Sequence, residues 1–160
     1  MKHSSYVAAC GVCRVGANEE QVPGGVIWED DRWLVRHAPA PYPLVGWLFF
    51  QTQRHVQGPA HFDDAEAKAF GPVLRHVSRA LEQVSGAPRV YFVAFGESTP
   101  HMHAHLAPRY ASLKPDEAAF GIADLYRNVS KGARPAADSA KVLEIVDRLR
   151  DALKKSPPPR

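Results

Sequence analysis

The chain has 160 residues, 45% of them hydrophobic and 23% charged, the length and mixture of one globular domain, which excludes an intrinsically disordered chain. Twenty Lys plus Arg against seventeen Asp plus Glu leave a net charge of +3, which suits a small polyanion and is too little to wrap a nucleic acid polymer. Leu44–Phe50, the longest apolar stretch, is far short of a membrane span, and Met1–Tyr6 has no apolar run of the kind a secretion signal needs, so a cytoplasmic location is expected.

The first dozen residues read as irregular up to Cys10-Gly-Val-Cys13. Two cysteines cannot make a disulfide scaffold, and without an export signal this spacing reads as a metal site or a redox pair. No helix pattern starts at Cys10 and no βαβ context surrounds it, which disfavours a thioredoxin-like redox role. Residues 14–25 are polar and rich in Gly and Pro, hence loop. Val26–Trp28 and Trp33–Arg36 flank a turn-forming acidic cluster and predict a hairpin. The proline-rich passage 37–43 cannot pair inside a sheet and is expected to cross an edge as a loop. Gly46–Gln51 follows as an aromatic-rich buried strand.

From Asp63 the period changes. Phe70, Val73, Leu74, Val77, Leu81 and Val84 recur at three and four residues, the stripe of an amphipathic helix. Asp63 or Asp64 is its expected N-cap and Gly86 its stop, with Pro72 expected to kink it or to mark a later start. Arg89–Phe95 is the strongest strand signal; after the turn Gly96–Pro100, His101–Ala107 alternates as another strand. Past Tyr110 no element is assigned until a second helix at Ser139–Lys154. The sum is a single α+β domain over residues 1–155, about five mostly antiparallel strands with one main helix and a C-terminal helix, and a frayed tail over 156–160.

The informative segment is His101-Met-His103-Ala-His105-Leu-Ala-Pro-Arg109. Alternate residues of a strand point to one face, so the three imidazoles are expected on one side and Met102, Ala104 and Leu106 on the other. Adjacent imidazoles repel when charged, so most should be neutral, each with one bare ring nitrogen able to attack phosphorus or ligate a metal. Three readings of these residues are open: a polar strand face, a tris-histidine catalytic metal site, and a nucleophilic histidine.

His101-x-His103-x-His105-x-x with apolar x resembles the signature of the histidine triad (HIT) superfamily of nucleotide hydrolases and transferases. The order of Cys10-x-x-Cys13, the Trp28 hairpin, the Gly46 strand, Arg54-His55-Val56, a helix and then the triad is similar too, so the resemblance spans about Cys10 to Arg109. It implies a HIT-like fold and a covalent nucleotidyl-histidine on His103, formed by attack on the α-phosphate of a dinucleoside polyphosphate, a nucleoside phosphoramidate or a related nucleotide. His105 would contact the phosphate and help protonate the leaving group. Ser98, three residues before His101, would bond a phosphate oxygen; the turn Gly96–Thr99, Thr99 included, would add main-chain donors, and Arg109 would neutralise a second phosphate at the rim.

The zinc-containing branch of that superfamily implies a structural Zn²⁺ held by Cys10, Cys13, His55 and His101, a set whose two thiolates balance the ion. His61, in the Gly58-Pro59 loop, is the alternative fourth ligand. The resemblance also implies a homodimer. Two features depart from it: the ribose-binding Asp or Asn of many relatives has no counterpart in His37-Ala38-Pro39-Ala40, and Glu97 puts a negative charge near the phosphate site. These departures keep open a non-catalytic, zinc-stabilised nucleotide-binding module. His37 and His76 are assigned no functional role, and Trp28, Trp33 and Trp47 are read as core, unless one stacks on a base.

Overall fold

The computed structural model describes residues 2–159. Their element order is α1 (Gly11–Gly16), β1 (Trp28–Glu29), β2 (Trp33–His37), β3 (Leu48–Thr52), α2 (Asp64–Ser85), β4 (Val90–Val93), β5 (His103–Pro108), α3 (Gly121–Ser130) and α4 (Ser139–Lys155). The strands form one sheet in the order β1-β2-β3-β5-β4, with every neighbouring pair antiparallel. The α+β expectation and its five strands hold.

Each strand forms for a local reason. Asp30 Oδ1 accepts from the backbone N–H groups of Arg32 and Trp33, which closes the β1–β2 turn. Gly46 turns the chain into β3 with φ +78°, and a Cβ there would lie 2.9 Å from Ile145 Cδ1, so this place admits only glycine without repacking. Helix α2 opens on a capping box in which Asp63 Oδ1 accepts from Glu66 N and Glu66 Oε2 accepts from Asp63 N; it ends at Gly86 in the left-handed conformation. Pro72 lies exposed inside an unbroken helix, so the expected later start does not occur.

Alternation sorts the sheet into two faces. Trp33, Val35, Leu48, Phe50 and Leu106 pack against Val73, Val77 and Leu81 of α2 and Ile145, Val146 and Leu149 of α4, making the main core. On the other face Ala38, Trp47, Phe49 and Ala107 pack against Ile122, Leu125 and Val129 of α3.

Three differences from the sequence reading follow. A short helix, α1, does start at Gly11, with Cys10 as its N-cap, because both cysteines must face inward from successive turns; both are buried. Helix α3 occupies part of the stretch left unassigned past Tyr110. Beyond Lys155, Pro158 is buried and His76 Nε2 lies 2.7 Å from the Ser156 carbonyl oxygen, so this part of the expected tail is held against α2; Arg160 lies outside the described residues.

Candidate active site and metal centre

Strand β5 begins at His103, two residues later than expected, and this separates the histidines. His103 and His105 face a cavity of about 1290 Å³ between the sheet, α1 and α3. His101 precedes the strand; its ring is fully buried and turns toward the cysteines instead of lining that cavity.

The hydrogen bonds of His103 and His105 decide their protons. His103 Nδ1 lies 2.7 Å from the His101 carbonyl oxygen. A carbonyl can only accept, so Nδ1 carries the hydrogen, and in the neutral ring Nε2 is bare. Trp47 Nε1–H donates to His105 Nδ1 at 3.1 Å, and an indole N–H can only donate, so neutral His105 carries its hydrogen on Nε2. Burial above all, with repulsion from the nearby Arg36 adding to it, lowers His105 to about 4, which keeps it neutral at physiological pH. Two imidazoles 5.8 Å apart thus hold opposite tautomers. One offers a lone pair, the other an N–H.

Aromatic rings fix the pair in place. Phe49 sits 4.6 Å from the His105 ring, and Tyr126 of α3 closes on the same ring at 5.3 Å. Ser98 and Thr99 line the cavity mouth on the turn after β4, with Glu97 beside them. Arg109 does not line it. Its Nη1 donates to the Tyr110 carbonyl, and four residues past His105 along a strand is about 13 Å away. Arg36 of β2, by contrast, is buried and lines the cavity. Sequence reading missed Arg36, Phe49 and Tyr126 in this site and took Trp47 for a core residue or a base-stacking ring.

The second cluster lies behind the first. Cys13 Sγ is 3.3 Å from His55 Nδ1 and 3.4 Å from His101 Nδ1, and Cys10 Sγ is 3.6 Å from the same His101 nitrogen. All four ligand atoms fall within 4.8 Å of one another. Tetrahedral zinc with bonds near 2.3 Å to sulfur and 2.0 Å to nitrogen has N···S edges of about 3.5 Å, so the four fit such an ion. His101 Nε2 lies 2.9 Å from the Thr52 carbonyl oxygen, which places its hydrogen there and leaves Nδ1 bare toward the sulfurs. His61 is exposed and outside the group, so His55 is the fourth member. His37 is a satisfied buried histidine: its Nε2 accepts from Gly46 N and its Nδ1 lies 2.9 Å from the Ala38 carbonyl oxygen.

Comparison with solved structures agrees on the fold. A HIT-like protein involved in cell-cycle regulation from Bartonella henselae superposes with a TM-score of 0.66 at 14% identity, over 94% of this chain and all of that one. A hypothetical histidine triad nucleotide-binding protein from Sulfolobus tokodaii gives 0.67 at 15%, over 91% and 93% of the two chains. A Zn-bound histidine triad family protein from Mycobacterium smegmatis gives 0.65 at 17%, over 92% and 94%. No protein-family model matches this sequence, and neither does any curated protein. The chain has the histidine triad fold. The likeness runs well past Tyr110, where the sequence resemblance stopped, so the C-terminal helices belong to the shared fold.

Proposed function

We propose that this chain is a nucleotide hydrolase or nucleotidyltransferase working through a covalent nucleotidyl-histidine on His103. The observation that carries the reading is the pair of opposite tautomers on the cavity floor. The His103 Nε2 lone pair forms a bond to the α-phosphorus while the bond from phosphorus to the leaving group breaks, its electron pair departing with that group. The proton stays on His103 Nδ1, hydrogen-bonded to the His101 carbonyl, so the adduct ring carries the positive charge. Water or a phosphate acceptor then attacks phosphorus, the pair returns to Nε2, and the acceptor's proton passes to solvent.

His105 Nε2–H serves as a hydrogen-bond donor to the transferring phosphate, with Ser98, Thr99 and the turn's main chain adding donors. The general-acid role that resemblance implies for His105 is not supported. Surrendering Nε2–H from the neutral ring would leave an imidazolate, and a ring held to about 4 is not protonated at neutral pH. Leaving groups that depart as anions, as in dinucleoside polyphosphates, are therefore favoured over amines.

Zinc on Cys10, Cys13, His55 and His101 would serve a structural role, pinning α1 to the strand end. The two thiols are free cysteines, which suits a reducing cytoplasm. No helix among the described residues is long and apolar enough to cross a membrane. Strand β4 is an edge strand with Phe92 and Phe95 exposed near it, the surface on which a second copy would extend the sheet into a homodimer. Light scattering showing a monomer at assay concentration would refute that part.

The test of the activity is a panel of dinucleoside polyphosphates and nucleoside phosphoramidates. His103→Ala is expected to lower kcat by at least about a thousandfold with melting temperature retained. Undiminished turnover in that variant would overturn the proposal; nucleotide binding without turnover by the native protein would return the chain to the non-catalytic binding module.

A further inference from the structure

Arg36 occupies an unusual place. It lies on the cavity face of β2, paired with Phe49, which is itself paired with His105, so the three form one row across three strands. Its side chain is only 6% exposed, yet it lines the same cavity as His103 and His105. Its contacts hold the guanidinium in position without neutralising it. Nε donates to Gln51 Oε1 at 3.1 Å, Nη1 reaches the His37 carbonyl at 3.4 Å, and the plane sits 4.5 Å over the Phe49 ring. Gln51 is fixed in turn by donating to the Val12 carbonyl, so the fork is braced from α1.

What Arg36 lacks is an anion. Among the described residues no carboxylate lies within ion-pair distance of it, and no hydrogen bond uses its Nη2. Glu20, which lines the same cavity and raises Arg36 through its charge, is bridged to Arg14 at 3.1 Å. Burial pulls Arg36 down to about 10, so it remains charged at neutral pH. A buried, uncompensated cation is costly, and packing alone would be served as well by Met or Leu at this position. Two residues on, the same sheet face presents Ala38, whose side chain offers neither a counter-charge nor an acceptor for ribose hydroxyls.

We infer that Arg36 binds a second anionic group of the substrate, carried on the part that stays attached to His103, two strands across the sheet from His105. Neighbouring strands lie about 4.8 Å apart, so the two anchor points have backbones about 10 Å apart, a span suited to one ribose bearing a phosphate at each end. The substrate class is a nucleotide phosphorylated on its ribose in addition to its reactive 5′ group, gripped by the guanidinium fork instead of by its hydroxyls. This inference rests on reading the His103 cavity as the nucleotide site.

The experiment is equilibrium binding of AMP, adenosine 2′,5′-bisphosphate and adenosine 3′,5′-bisphosphate to the metal-loaded protein by calorimetry. At least one bisphosphate is expected to bind about 10-fold or more tighter than AMP, with that gap falling to about twofold in Arg36→Gln and partly kept in Arg36→Lys. Equal affinity for all three, binding of none, or a gap that persists in Arg36→Gln would overturn the inference. If Arg36→Gln does not fold, Arg36→Lys and the native comparison still decide. The His103→Ala variant separates the two readings: a retained gap in that variant, together with no turnover by the native protein, would leave the Arg36 site standing and remove the catalytic reading.

Discussion

Trp47 leaves neutral His105 an N–H donor, and the His101 carbonyl leaves neutral His103 a bare Nε2; each ring's tautomer is set by one hydrogen bond with a neighbour that can only donate or only accept. Trp47→Phe removes the indole N–H while keeping an aromatic ring, so His105 can rotate or exchange tautomers. We expect kcat to fall about 10-fold with KM little changed, since Trp47 acts on the transferring phosphate only through His105; an unchanged kcat would show that the bond is incidental. His105 also links stability to pH. Its folded value of about 4 lies below the ordinary 6.5, so between those values the unfolded chain binds more protons. Stability from this group is complete above about pH 6.5 and is lost as pH falls toward 4, by about 2 kcal/mol in urea unfolding after allowance for its partial exposure. A slope of equal size in His105→Gln would assign the effect elsewhere. The alternating histidines and the Cys10-x-x-Cys13 spacing were legible because local spacing itself is the signal. Arg36 and Trp47 were not, since a single Arg in a short buried strand and a Trp in an aromatic strand acquire meaning only through cross-strand register. Arg109 misled for the converse reason: nearness in sequence along an extended strand is distance in space.

Arg54 and Glu66 hold the end of β3 to the start of α2, one residue from His55 of the cysteine–histidine cluster. Arg54 Nε and Nη2 bond Glu66 Oε1 and Oε2 at 3.0 and 2.5 Å, and the Glu66 side chain is 3% exposed. The same carboxylate completes the capping box. Glu66→Ala therefore breaks an ion pair and a cap together, and we expect a loss of about 2–3 kcal/mol in denaturant unfolding. A loss under about 0.5 kcal/mol would mean that water replaces both contacts freely. Helix α2 was legible from end to end because its stripe, N-cap and terminal Gly agree. Helix α3 carries Ile122, Leu125 and Val129 at helical spacing, but it is short and its N-cap Phe120 makes no side-chain cap, so nothing marks its start. Helix α1 has six residues with Gly at both ends, too few for any period to show; it exists because two cysteines and Val12 must turn inward together.

The two clusters are joined by one residue. His101 offers its ring to the cysteines and its backbone oxygen to His103, so whatever steadies the Cys10, Cys13, His55 and His101 group also steadies the His103 ring. One zinc ion per chain is expected by elemental analysis, and its removal by a chelator is expected to lower the melting temperature by about 10 °C, as is Cys13→Ala. Metal-free protein melting unchanged would remove the structural role. The five mostly antiparallel strands and helices α2 and α4 followed from pattern, whereas the strand order came from the register, and the cavity, formed where α1 and α3 both approach the sheet face, depended on two helices that sequence periodicity did not reveal. The most direct measurement is acid-free rapid quench of the protein with a dinucleoside polyphosphate, followed by peptide mapping by mass spectrometry. A nucleoside monophosphate on the peptide containing His103, absent from His103→Ala, is the predicted result; turnover with the modification on another residue, or with none on any, would contradict it.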